Sequence, residues 1–169
     1  MGSIKITPSI TEIDYVPVEF RLTVGEIFLT SAMVQHQLVE LFAKIVGVNP
    51  AIFVYLGHTL DTSQTIKALQ RLIKSDDAPI QTSSALSDVL KRCIKILEER
   101  NKIAHSAIIY VDNMLMRSEV EGGNKPKRVM RVLTLEHFTF VLREMKSVLW
   151  DLRSEVGRLQ RGEPVSVQD

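Results

Sequence analysis

Apolar residues recur at intervals of three and four along most of the chain, a pattern that predicts amphipathic helices. Glycine, proline and capping residues divide the pattern into separate segments. The predicted helices span residues 23–46, 50–58 and 61–76, and a fourth begins at Ser83 or Ser84 and ends near His105. The chain is therefore expected to be mainly helical.

The longest periodic segment follows Thr134, which is expected to cap the last helix. Its apolar side chains form one seam at alternating spacings of three and four: Leu135, Phe138, Leu142, Met145, Leu149, Leu152, Val156 and Leu159. A seam of this kind packs either inside a bundle or against a second copy of the chain, and the sequence leaves both open. Gly162 and Pro164 end the helix, and residues 162–169 are expected to be a flexible tail.

The period changes to that of strands before the last helix. Residues 108–111 and 129–133 are rich in β-branched side chains, and a turn signal lies at 121–124. We expect a β-hairpin over about 107–133. Residues 1–21 carry two prolines and alternate loosely, which favours an extended arm. The predicted fold is a bundle of four to five helices over residues 22–161, with the hairpin inserted before the long last helix.

Composition narrows the class of protein. The 169 residues suggest one domain, and a net charge of +1 is not that of a protein that coats nucleic acid. A single cysteine, Cys93, excludes an internal disulfide and a cysteine-built zinc site, and we expect it to be an inert core residue. No histidine pair has metal-ligand spacing, and we expect neither a metal nor a cofactor. Without a signal or spanning segment, a soluble cytoplasmic protein is expected.

The chemistry-bearing segment lies at the end of the fourth helix. Its apolar face continues inward at Arg100 and Asn101, where polar side chains need partners. Asn101 and His105 lie about 40° apart on a helix, whereas Arg100 and His105 are about 140° apart. The latter pair converges only if the helix ends between them or the long arginine swings round. A purely structural role is the alternative, with Arg100 paired to a buried glutamate and His105 at the helix C-terminus.

The string from Arg100 to Ser106, Arg-Asn-Lys-Ile-Ala-His-Ser, resembles a branch of the HEPN superfamily. This superfamily is marked by an arginine, four intervening residues and a histidine at the end of a helix. Many of its domains are metal-independent ribonucleases that work as homodimers, with two motifs lining one cleft. The resemblance implies an endoribonuclease of a toxin or defence system that leaves 2′,3′-cyclic phosphate ends.

The resemblance also implies residue roles. His105 would be the general acid or base and Arg100 would hold the scissile phosphate, while Asn101 would orient the histidine or bind a phosphate oxygen. Further contacts to RNA or a nucleotide are expected from residues beside the motif and on the hairpin: Lys102, Ser106, Tyr110, Arg128 and Arg131. An antitoxin or a regulatory protein is a candidate partner.

One departure favours a different function. Toxin members of the superfamily typically carry a tyrosine two residues after the histidine, and this chain has Ala107 there. The alternative is a non-catalytic dimeric HEPN module that binds a nucleotide, RNA or a partner protein in a regulatory role.

Two surface features are also predicted: an ion pair of Glu98 with Lys102, and exposed side chains at His36 and His137.

Overall fold

The structure, a computed structural model, describes residues 16–49, 62–75, 85–111, 114–121 and 127–162. These residues form four helices, α1 (Val18–Val46), α2 (Thr62–Ile73), α3 (Leu86–His105) and α4 (Leu135–Arg161). Three strands lie between α3 and α4: β1 (Ala107–Val111), β2 (Met114–Glu121) and β3 (Lys127–Leu133). The prediction of a mainly helical fold with strands inserted before the last helix is confirmed.

The two longest helices, α1 and α4, pack along each other and build most of the core. Five of the six side chains on the predicted apolar face of α1 are buried, and Phe42 is half-buried against the same core; the buried ones are Ile27, Val34, Leu38, Leu41 and Ile45. Gly47 ends α1 in the left-handed conformation with φ of 74°, which glycine adopts without steric cost. The period of the sequence therefore correctly predicted which face of α1 is buried.

The seam of α4 belongs to the core of the same chain. Six of its eight side chains are buried within the single chain: Phe138, Leu142, Met145, Leu149, Leu152 and Val156. Leu159 is half-buried against the same cluster. Thr134 caps α4 as predicted, since its hydroxyl accepts a hydrogen bond of 3.2 Å from the amide of His137. The seam is therefore an intramolecular one, which decides between the two alternatives.

The helical body begins earlier than predicted. Residues 1–21 were expected to be an extended arm, but α1 starts at Val18, and residues 1–15 lie outside the described part of the chain. Pro17 precedes the first turn and its carbonyl accepts the amide of Phe20 at 3.1 Å. The Phe20 ring then meets Phe138 edge-on at 5.8 Å. This aromatic contact with α4 favours the helical conformation over the arm.

The predicted hairpin is a three-stranded antiparallel sheet in the order β1-β2-β3. The two predicted strands exist, but they do not pair with each other, because β2 lies between them and pairs with both. Leu115 and Arg117 on β2 are buried, while Met114 on the opposite face is exposed. The sequence analysis missed β2 because Arg117, a charged residue at an inward position, interrupts the alternation of apolar and polar residues in this strand. Of the predicted turn at 121–124, Glu121 is the last residue of β2 and the remainder lies outside the described residues.

Helix α2 contributes Ile66 and Leu69 to the core and ends at Ile73, slightly before the predicted end at 76. Helix α3 is described from Leu86, with Ala85 at the N-cap position. The predicted helix at 50–58, the caps at 61 and at 83 or 84, and the tail after residue 162 lie outside the described residues.

Candidate functional site

Arg100 lies on the inward face of α3, one step beyond the buried Leu97, as the helical period predicts. The half-buried guanidinium lies over the ring of Phe28 on α1, with Cζ 4.9 Å from the ring centroid. Its Nη1 donates a 3.0 Å hydrogen bond to the side-chain oxygen of Asn101. Asn101 was predicted to lie inward as well, but it is exposed, because the helix directs it about 100° away from Arg100. Among the described residues Arg100 contacts no carboxylate, and its buried Nε has no hydrogen-bond partner.

His105 is the last residue of α3 and its side chain is exposed. It forms no hydrogen bond or ion pair with another described side chain. Because α3 is helical from Arg100 through His105, the two side chains stay about 140° apart around the axis. The helix ends after His105 instead of between the two residues, so a single chain does not bring them into contact. Asn101 and His105 lie on one exposed side of the helix.

The predicted substrate-binding residues are divided between engaged and exposed side chains. Lys102 is held by an ion pair with Glu99. Ser106 is the C-cap residue of α3, and its amide donates to the carbonyl of Lys102 at 3.1 Å. Tyr110 is half-buried against the core. Arg128 and Arg131 are exposed on β3, and their offset of three places them on opposite faces of the sheet.

Glu99 forms a charged cluster that the sequence did not reveal. Its carboxylate lies 2.5 Å from Lys102 Nζ, 3.7 Å from His137 Nε2 and 3.9 Å from Arg117 Nη1. The predicted pair of Glu98 with Lys102 is therefore wrong, because the lysine turns to Glu99 three residues away. His137 is half-buried in this cluster, contrary to the predicted exposure. By contrast, the predicted exposure of His36 is confirmed at 59% of its side chain.

The burial of Arg117 explains the position of the charged cluster around Glu99. Only 5% of this residue is exposed, and β2 directs it toward the helices. Taking a guanidinium out of water is costly unless a carboxylate lies near. Glu99 supplies that charge from the exposed end of α3. The signal in the sequence was the inward position of Arg117 in the alternation of β2.

A second charged contact joins α3 to α4 about two turns before the motif. Arg92 donates to Asp151 at 2.8 Å and to the hydroxyl of Ser147 at 2.7 Å. Between this contact and Glu99 lies an open groove of about 160 Å³. Its walls are formed by Arg92, Lys95, Ile96, Glu99, Phe140, Val141 and Glu144. Three of these side chains are apolar and four are charged.

Cys93 is buried on the core face of α3, as predicted. Burial raises the pKa of its thiol from 9.0 to about 12, because the thiolate would lose its hydration. A cysteine nucleophile needs the opposite shift. Cys93 is therefore a packing residue.

Two negative findings apply to the described residues alone. Within residues 16–49, 62–75, 85–111, 114–121 and 127–162, no three histidine, cysteine or acidic side chains are grouped so as to hold a metal ion. None of the described helices is both long and apolar enough to cross a membrane.

Comparison of the chain with known protein families, with curated proteins and with solved structures gives no match.

Proposed function

We propose that the chain is a metal-independent endoribonuclease of the HEPN type, acting in a toxin or defence system. The main support for this proposal is the environment of Arg100. Its half-buried guanidinium is held by Phe28 and Asn101 and contacts no described carboxylate. Arg92 and Arg117, by comparison, both lie near acidic side chains. A guanidinium left without a carboxylate favours a phosphate as its ligand.

The proposed reaction uses two side chains, His105 for proton transfer and Arg100 for charge stabilisation. His105 takes the proton of a ribose 2′-hydroxyl, and the 2′ oxygen attacks the adjacent phosphorus. The bond from phosphorus to the 5′ oxygen breaks, and that oxygen leaves with a proton given by the protonated His105 of the second copy in the proposed homodimer. Arg100 stabilises the negative charge that builds up on the phosphate oxygens. The products are a 2′,3′-cyclic phosphate and a 5′-hydroxyl.

The separation of Arg100 and His105 on α3 favours a site made by two copies of the chain. Within one copy the two side chains point about 140° apart, so one phosphate is not easily shared by both. In the proposed homodimer the motifs of two copies face one cleft, and each phosphate meets an arginine and a histidine. The exposed Asn101 and His105 give the second copy access to the motif.

The same separation favours the second candidate function. A non-catalytic dimeric module would bind a nucleotide, RNA or a regulatory partner through Arg100 and would not need His105 nearby. The absence of any described contact between the two side chains is the observation in its favour.

Cleavage of a mixed RNA pool in EDTA tests the proposal. We expect cutting by the wild type, and its loss in both His105→Ala and Arg100→Ala. His36→Ala is the matched control, since it removes an exposed histidine from the middle of α1. Circular dichroism should show that all four proteins are folded. Cutting retained by His105→Ala at the wild-type rate would refute the ribonuclease, and an inactive wild type would favour the binding module.

A further inference from the structure

Helix α1 carries a second apolar stripe on its solvent-facing side. Val18, Leu22 and Leu29 are each more than half exposed, and Met33 is 37% exposed. At about 100° per residue these four lie within an arc of about 60°, about 140° around the helix from the buried face of α1. We call these four residues the outer face of α1. Their exposure shows that the packing of one chain leaves this face open.

The exposed indole of Trp150 on α4 extends the outer face. Helices α1 and α4 run side by side in the same direction, since Phe20 meets Phe138, and Glu26, further along α1, pairs with Lys146. Trp150 follows Lys146 by one helical turn, so it lies at the level of the second half of the outer face. This tryptophan is 72% exposed. One apolar patch therefore spans both helices.

The spacing of the outer face is that of a surface that packs against another helix. Val18, Leu22, Gly25 and Leu29 follow each other at spacings of four, three and four, the period of a coiled-coil seam. No atom lies within 4 Å of the place where a Cβ atom of Gly25 would be, so the helix surface has a notch there. A side chain of a partner helix can enter this notch between Leu22 and Leu29.

The area of the patch approaches what a stable dimer needs. Scaled from roughly 150–250 Å² for a fully exposed large side chain, the outer face and Trp150 together present about 600 Å² of apolar surface. Stable protein–protein interfaces bury about 800 Å² on each partner. The polar residues at the rim of the patch can supply the remainder.

The outer face lies beside the arginine of the motif. Phe28 is on one flank of the face, and the centre of its ring lies 4.9 Å from Cζ of Arg100. The pair of Glu26 with Lys146 is on the other flank. A helix seated on the outer face therefore lies next to Arg100.

The outer face is symmetric along α1. Leu22 and Leu29 lie equally far from a point just after Gly25, and so do Val18 and Met33. A two-fold axis through this point pairs α1 with an antiparallel copy of itself, with Leu22 of one copy against Leu29 of the other. Every apolar side chain then meets an apolar one, and the notch at Gly25 lies close to the axis.

We propose that the outer face of α1 is the interface of a homodimer and is occupied by α1 of a second copy. The dimer brings the Arg100 of each copy beside one interface. The choice of a second copy over a different protein rests on this symmetry and on the proposed function, whose site needs two copies of the motif. The outer face carries no charged side chain, which argues against nucleic acid as its occupant.

Sedimentation equilibrium of the full chain tests the interface. We expect a species of twice the chain's 19.1 kDa that dissociates on dilution. Trp150 is the single tryptophan, so its fluorescence gives a second readout. Acrylamide should quench Trp150 less in the dimer than in the diluted monomer.

Variants at exposed positions locate the interface without disturbing the core. Leu29→Glu places a carboxylate from each copy in the interface and should weaken dimerisation at least about a hundredfold. Leu22→Lys should weaken it similarly, and an equimolar mixture of the two variants should dimerise more tightly than either alone, because Leu22 of one copy meets Leu29 of the other. Val132→Glu on β3 is the matched control, since Val132 is similarly exposed at 55%. Circular dichroism should show that all the variants keep their helix content.

The outcomes separate this inference from the proposed function. A wild type that is monomeric at all concentrations, or a dimer that survives Leu29→Glu, would overturn the interface. Loss of the dimer in Val132→Glu would also overturn it and assign dimerisation to the sheet. A dimer that Leu29→Glu dissociates, in a protein that cuts no RNA, would overturn the ribonuclease and leave this inference standing. RNA cut by a monomeric wild type would do the reverse.

Discussion

Glu99 joins α3, the sheet and α4 through one carboxylate, and neutralising it should destabilise the fold. The substitution Glu99→Gln keeps the shape of the side chain and removes its charge. The buried Arg117, 6% exposed in its side chain, and His137 would then lose the carboxylate oxygen that lies 3.9 Å and 3.7 Å away. We expect a lower free energy of unfolding with an unchanged overall fold.

The magnitude follows from the contacts. Two unit charges about 4 Å apart attract by about 4 kcal/mol at an effective dielectric constant of about 20. Because Glu99 is 29% exposed in its side chain, solvent screening reduces this, and about 1–2 kcal/mol remains for the contact with Arg117. The more exposed contact with Lys102 adds at most about 1 kcal/mol. The predicted loss is about 2 kcal/mol.

Urea unfolding followed by circular dichroism measures the effect, with Glu98→Gln as the matched control. Glu98 is exposed on the same turn of α3 and forms no ion pair with a described residue. Its substitution should change stability by less than about 0.5 kcal/mol. A double-mutant cycle of Glu99→Gln with Arg117→Met should give a coupling energy of at least about 0.5 kcal/mol. Equal stability of the two glutamine variants would show that the carboxylate of Glu99 does not stabilise the fold.

Three further predictions concern the core and one cap. The native thiol of Cys93 should react with a disulfide reagent far more slowly than the unfolded thiol. Because the folded thiol keeps its proton to about pH 12 while the unfolded one loses it near pH 9.0, stability should fall as the pH rises above 9.0; a flat profile there would contradict the burial. Phe138→Ala should cost about 3–5 kcal/mol in urea unfolding, and a loss below about 1 kcal/mol would disprove its core role. Thr134→Ala should cost about 1 kcal/mol, and an unchanged midpoint would argue against the cap.

The helical part of the fold could be predicted because it depends on local periodicity. The buried faces of α1 and α4, the cap at Thr134 and the ends at Gly47 and Gly162 all follow from spacing and capping chemistry. The start of α1 was missed because its first turn is stabilised by the contact of Phe20 with Phe138, a residue remote in sequence. Sequence periodicity contains no information on such a pairing.

The candidate site was predictable only in part. The inward position of Arg100 follows from the helical period, and its contact with Asn101 joins neighbours in the chain. The cluster of Glu99, Arg117 and His137 joins three elements, and its charges are balanced only after folding. A glutamate on a helix surface is ordinarily solvated, so its sequence context alone gave no reason to expect this role.

The chemical ends of cleaved RNA show whether the ribose 2′-hydroxyl is the nucleophile, as the proposed ribonuclease requires. Purified wild type and His105→Ala are incubated with RNA in EDTA, and the products are analysed by mass spectrometry. We expect 2′,3′-cyclic phosphate and 5′-hydroxyl ends from the wild type, and intact RNA with His105→Ala. Products ending in 3′-hydroxyl and 5′-phosphate, or the same products from both proteins, would contradict this expectation.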